Sequence, residues 1–138
     1  MFDQCLYFNT TALARVLERE WTKAFKPFGL TPSQAFMLRA ILDKPGLLQS
    51  ELAAGLAISR PTATRSLDGL QKMALIERWS TDRDGRESAV HATALGESMK
   101  TDLNAASAEV TKRLKKKLGA AHFDDSVSKM KGIRALLD

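Results

Sequence analysis

Apolar positions recur along the chain with two different periods. From residue 6 to 28, Leu6, Leu13, Leu17, Ala24 and Phe28 fall on one stripe of a repeat of about 3.6 residues, with Trp21 at its edge. That spacing predicts an amphipathic helix, ended by Pro27 and Gly29. Thr31, Pro32 and Gln34 then spell an N-cap, a first-turn proline and the third residue of a capping box. Residues 35 to 42 are apolar nearly all round, which predicts a helix buried between other elements. Lys44, Pro45 and Gly46 break it.

A helix pair comes next. Leu52, Ala53 and Leu56 face inward from a short helix over 49–56, and Ala57 to Ser59 turn the chain. Pro61 opens a second helix with Ser59 or Arg60 at its cap. Ala63, Leu67, Leu70 and Ala74 mark its buried face. Two helices joined this closely form a helix-turn-helix. The period then shortens. Residues 76–79 and 88–93 suit short strands, and Gly85 tolerates the tip of the loop between them. A hairpin straight after a helix-turn-helix makes a winged helix.

Helical spacing returns from 94 to 118 through Leu95, Met99, Leu103, Ala106, Val110 and Leu114. After a break near Gly119, Phe123, Val127, Met130 and Leu137 mark a last helix, with His122 expected as its cap. The pattern thus predicts one mainly α domain over residues 1–138 with a small β-hairpin wing. The winged helix-turn-helix covers 31–93, flanked by helices in 1–30 and 94–138. The flanking stripes lack a partner inside so small a lobe. They are expected to pack together and against a second copy, through Leu6, Leu13, Leu17, Val127, Met130 and Leu137.

Composition changes this picture little. A chain of 138 residues with 44% hydrophobic and 27% charged residues is ordinary for one soluble domain. No apolar run approaches the roughly 20 residues of a membrane span. No basic start leads into an apolar segment, so a cytoplasmic protein without a signal peptide is expected. One cysteine cannot form an internal disulfide. The net charge of +5 tilts toward a polyanionic partner, but its placement matters more. Residues 59–93 hold six cations and five anions, whereas the densest basic run, Lys112 to Lys117, suits the end of a long helix.

Arrangement, not total charge, points to DNA. Pro61, Thr62, Arg65, Asp68 and Lys72 face away from the buried stripe of the second helix, with Thr64 beside it. Its first turn therefore offers small hydroxyls and one long fork. In DNA-binding helix-turn-helices that end enters the major groove, and arginine is the usual reader of a guanine edge. Gln49 and Ser50 at the start of the first helix, with Ser59 and Arg60, complete the candidate surface. In the loop, Arg83 and Arg86 are candidates for the minor groove or phosphates, with Asp82 or Asp84 to aim them. Arg78 lies just upstream of the same charged finger. A dimer would hold two such helices about 34 Å apart, the repeat of a palindrome.

With these features together, the sequence resembles the MarR family of transcriptional regulators. Residues 49–78 look like that family's helix-turn-helix running into its wing. Asp84, Arg86, Thr93 and Gly96 match its wing signature, an Asp-x-Arg followed by a strand and Thr-x-x-Gly. The resemblance implies a homodimer built from the terminal helices. It implies binding to palindromic double-stranded DNA, repression, and release by a small, often aromatic effector. It also implies Asp84 and Arg86 as the wing pair. Leu48 stands where relatives often carry a capping Thr or Ser, and Gly85 replaces a basic residue.

Other chemistry is sparse. Trp21, Phe25, Phe28 and Phe36 are candidates for an effector pocket, with core packing as the competing use. Cys5, near the first helix and beside Tyr7, is the candidate for a peroxide-sensing thiol, against an inert one. His91 and His122 lack metal-ligand spacing, with His91 read as a wing-strand residue. No metal, cofactor or enzymatic activity is expected. A winged helix serving as a protein-interaction scaffold is the remaining alternative.

Overall fold

The computed structural model describes residues 1–81 and 87–138. The candidates Asp82, Arg83, Asp84, Gly85 and Arg86 lie outside the described residues. Helix α1 spans Leu6–Phe25 and α2 spans Pro32–Asp43. The helix-turn-helix pair is α3, Gln49–Gly55, and α4, Arg60–Lys72. Strands β1, Ile76–Ser80, and β2, Ser88–Ala92, are antiparallel, with Ile76 opposite Ala92 and Trp79 opposite Ala89. Helices α5, Ala94–Ser98, α6, Lys100–Leu118, and α7, Ala120–Leu137, complete the chain. Among the described residues no helix is long and apolar enough to cross a membrane.

Local chemistry fixes the boundaries. The helix expected over 6–28 is α at its start and tightens to a 3-10 turn at Lys26–Phe28, because Pro27 cannot supply an N–H. Gly29 closes that turn at φ 71°, a left-handed conformation suited to glycine. Thr31 caps α2 as expected: its Oγ1 accepts from Gln34 N at 3.2 Å, and Gln34 Oε1 accepts from Thr31 N at 3.0 Å. Leu48 has no acceptor with which to cap α3, so only half of a box forms, Leu48 N donating to Glu51 Oε1 at 3.0 Å. Leu48 serves the sheet instead. It bridges Ala89, while Val90 N donates to Leu47 O at 3.0 Å.

The core joins α2 to both helices of the pair and to the hairpin. Phe25, Met37, Leu38, Ile41, Leu67, Leu70 and Val90 are fully enclosed. Ala74 is a correction to the expected stripe: α4 stops at Lys72, and Ala74 is exposed at φ 59° in the turn to β1. Thr93 braces that turn, its Oγ1 donating to Ala74 O at 2.7 Å and accepting from Gly96 N at 3.1 Å. Gly96 presses on the Leu75 carbonyl so closely that a β-carbon would collide with it. The Thr-x-x-Gly spacing is thus a packing device that starts α5.

The expected helix over 94–118 is two helices, broken at Met99, and Leu95 is exposed rather than on the buried stripe. Leu103, Ser107 and Val110 bury α6 against the rest of the chain. His122 does not cap α7. It sits inside the first turn, where its carbonyl accepts from Ser126 Oγ at 2.8 Å, and Gly119 holds the cap position.

A polar junction ties the lobe to the long helices. Arg39 of α2 donates through Nε to Asn104 Oδ1 at 2.7 Å and through Nη1 to Ser107 Oγ at 3.0 Å. Trp21 Nε1 of α1 donates to the same Ser107 oxygen at 3.2 Å. Burial pushes the Arg39 pKa down from the ordinary guanidinium value.

Candidate nucleic-acid interface

The start of α4 is built by local hydrogen bonds. Ser59 rather than Arg60 is the cap, and Pro61 is the second helical residue. Ser59 Oγ accepts from Thr62 N at 3.3 Å and donates to Thr62 Oγ1 at 2.9 Å. Thr62 Oγ1 also accepts from Arg65 Nη2 at 3.2 Å, so the guanidinium leans toward the helix start. Thr64 Oγ1 donates to Arg60 O at 3.0 Å. Arg60, Pro61, Thr64 and Arg65 are exposed and Thr62 is half-buried. The structure therefore brings Ser59, Arg60, Pro61, Thr62, Thr64 and Arg65 onto one helix end. Hydroxyls, a positive helix terminus and two guanidinium groups together suit a polyanion.

Gln49 and Ser50 lie beside that end, but their side chains are already engaged. Gln49 Oε1 accepts from Arg78 Nη1 at 3.5 Å, and Ser50 Oγ donates to Glu87 Oε2 at 3.3 Å. With Arg60, Ala63, Thr64 and Glu87 they line a small polar hollow of about 180 Å³.

Arg78 is not a free cation of the finger. It pairs with Asp68 Oδ1 at 2.5 Å and donates through Nε to Gln71 Oε1 at 2.7 Å. Both partners belong to α4. The reading from sequence missed this junction, although strand alternation places Arg78 on the same face as buried Ile76. On the opposite face Trp79 stacks on His91 with ring centroids 4.2 Å apart. His91 is a wing-strand residue as expected.

A second feature lies between the lobe and α1. A cavity of about 480 Å³ is lined by Leu17, Glu18, Trp21, Phe36, Leu56 and Ile58 among others. Trp21 and Phe36 thus reach the cavity. Phe25 does not line it: it is fully buried and meets Phe36 edge-on at 6.0 Å. Phe28 packs against the core. Leu56 and Ile58, which flank the turn of the helix pair, were not anticipated there; their apolar character was the available signal. The Arg39 guanidinium lies 4.9 Å from the Phe36 ring centroid, linking the cavity wall to the polar junction.

Cys5 is exposed at the N-cap of α1, where its sulfur accepts from Phe8 N at 3.5 Å. Among the described residues no group of three His, Cys, Asp or Glu side chains is placed to hold a metal ion.

A helix pair, an exposed second-helix terminus and a hairpin beside it define a winged helix-turn-helix protein. Residues 28–87 match the MarR family model. That segment is similar to the MarR family, and the fold is shared with solved structures over nearly the whole length of the chain. One similar structure is the transcriptional repressor CouR bound to a 23-mer DNA duplex. It has a TM-score of 0.86 and 25% identity, with 96% of this chain and 94% of that one covered. Another is the MepR–DNA complex of S. aureus, with a TM-score of 0.85, 18% identity, and 97% and 98% covered. A Thauera aromatica protein named as a candidate transcriptional regulatory protein for the hcr operon is 32% identical over 88 residues, 58% of this chain and 53% of its own length. The chain spans about half the length of the curated relatives it matches.

Proposed function

We propose that this chain is a homodimeric DNA-binding transcriptional regulator of a palindromic operator, acting as a repressor that a small ligand releases. The observation that carries the reading is the capped start of α4. There Ser59, Thr62 and Thr64 surround exposed Arg60 and Arg65 beside the hairpin. CouR and MepR, which share this fold, are DNA-bound in their solved structures, and that supports a duplex as the partner. In this reading α4 enters the major groove. The wing pair Asp84 and Arg86, with Arg83 as the alternative cation, reaches the adjacent minor groove. Residues 1–30 and 94–138 supply the dimer.

Release is assigned to the cavity lined by Trp21 and Phe36. It touches α1 on one side and the turn of the helix pair on the other, so an occupant there bears on both at once. Its apolar walls suit a small aromatic ligand.

Selection of bound sequences from random duplex DNA tests the reading. Enrichment of an inverted repeat with half-sites about one helical turn apart is the expected result. Recovery of no preferred sequence, with no duplex affinity even at low salt, contradicts it and favours a protein-interaction scaffold.

A further inference from the structure

Arg78 is the most fully committed cation among the described residues of the interface. Its side chain is only 19% exposed. Each of its three guanidinium nitrogens meets a different acceptor: Nη2 meets Asp68, Nε meets Gln71, and Nη1 reaches toward Gln49 at 3.5 Å. Two of these acceptors lie on α4 and one on α3, while Arg78 itself belongs to β1. Its charge is matched by the Asp68 carboxylate, so it adds little net field at the surface.

We infer that Arg78 is a positioning residue that sets the angle between the wing and the start-of-helix surface of α4, and is not itself a DNA contact. The inference rests on the DNA-binding reading above and adds the element that makes it geometrically specific. A two-stranded hairpin is marginal alone and takes its orientation from what it packs on. Here Ile76 anchors β1 in the core. One residue pair further on, Arg78 anchors the same face of the strand to α4. A planar guanidinium reaches the three acceptors from three nitrogens in a fixed fork, whereas a lysine ammonium donates from one rotating nitrogen.

Two measurements test this on the intact protein. The first is affinity for a duplex selected from random DNA, taken across a salt series, for wild type, Arg78→Lys, Gln71→Ala and Asp68→Ala. Positioning predicts that each variant loses about tenfold in affinity while the salt slope stays the same. Gln71→Ala changes no charge, and Asp68→Ala removes an anion, which would tighten binding if field alone mattered. If instead Arg78→Lys binds like wild type and Asp68→Ala binds more tightly, Arg78 is a phosphate contact and the inference fails. The second measurement needs no DNA. Amide hydrogen exchange across residues 76–80 should quicken in Gln71→Ala and Asp68→Ala, both exposed helix positions; unchanged rates overturn the inference. A wild-type chain with no duplex affinity sinks the DNA-binding reading alone, and the exchange rates still decide whether Arg78 orients the wing.

Discussion

Helices α4 and α7 ask different things of the rest of the chain. In α4, Ala63, Ser66, Leu67 and Leu70 are all buried within the chain itself, and the opposite face is polar. In α7, 18 residues long, none is buried, yet Met130 is 45% and Leu136 is 86% exposed. Burying one such side chain is worth about 1.5–3 kcal/mol, so the apolar face of α7 holds a large unspent driving force. The contrast teaches that the apolar face of α4 is buried by the chain itself, while that of α7 stays open to a partner. In our reading that is a second copy, placed where it sets the spacing of the two α4 helices.

Breaking the α7 side should have the largest effect. Met130→Glu combined with Val127→Glu, both exposed on α7, should give a single subunit in sedimentation velocity. Affinity for a palindromic operator should fall by about a thousandfold, because the second half-site no longer binds intramolecularly. An intact dimer with unchanged affinity would move the interface elsewhere. Breaking the α4 side from within comes next. Leu67→Ala should cost about 3 kcal/mol in urea unfolding through the cavity it leaves. A cost under about 1 kcal/mol would mean that the lobe is more loosely packed than described.

Much of this contrast was legible in the sequence, for physical reasons. Capping chemistry is local, so Thr31, Pro32 and Gln34 announced α2 correctly, whereas the close approach of Gly96 to the Leu75 carbonyl came from the structure alone. Periodicity found both α4 and α7, but it could not tell a face buried by the chain from one left open. The break at Met99 was missed because the apolar spacing runs on across it, although Leu95 ends up exposed. At the site, the small hydroxyls and Arg65 lie on one helix end, where helical spacing placed them. The contacts of Arg78 with α4 and the place of Leu56 and Ile58 at the cavity were not foreseen, because each depends on contacts between elements rather than within one. Phe25 suited a pocket or the core by type, and its position settles it as core.

Smaller effects sharpen the comparison. Arg65→Ala should weaken operator binding by about 1–3 kcal/mol and relax preference at one base pair; equal loss on random DNA would reduce Arg65 to a phosphate contact. Thr31→Ala should lower stability by about 1 kcal/mol through loss of the α2 cap, with the dimer unaffected. Treating the protein with an organic peroxide should leave operator affinity unchanged if exposed Cys5 is inert; lost affinity that a thiol reductant restores would make it a sensor.

The central claim is that α4 reads a duplex sequence in the context of a dimer. Its most direct test is a competition between a selected inverted repeat and a scrambled duplex of the same composition, at about 0.15 M salt. The account predicts two subunits per duplex and a preference of about a thousandfold for the repeat. Equal affinity for both duplexes, or binding by a single subunit, would contradict it.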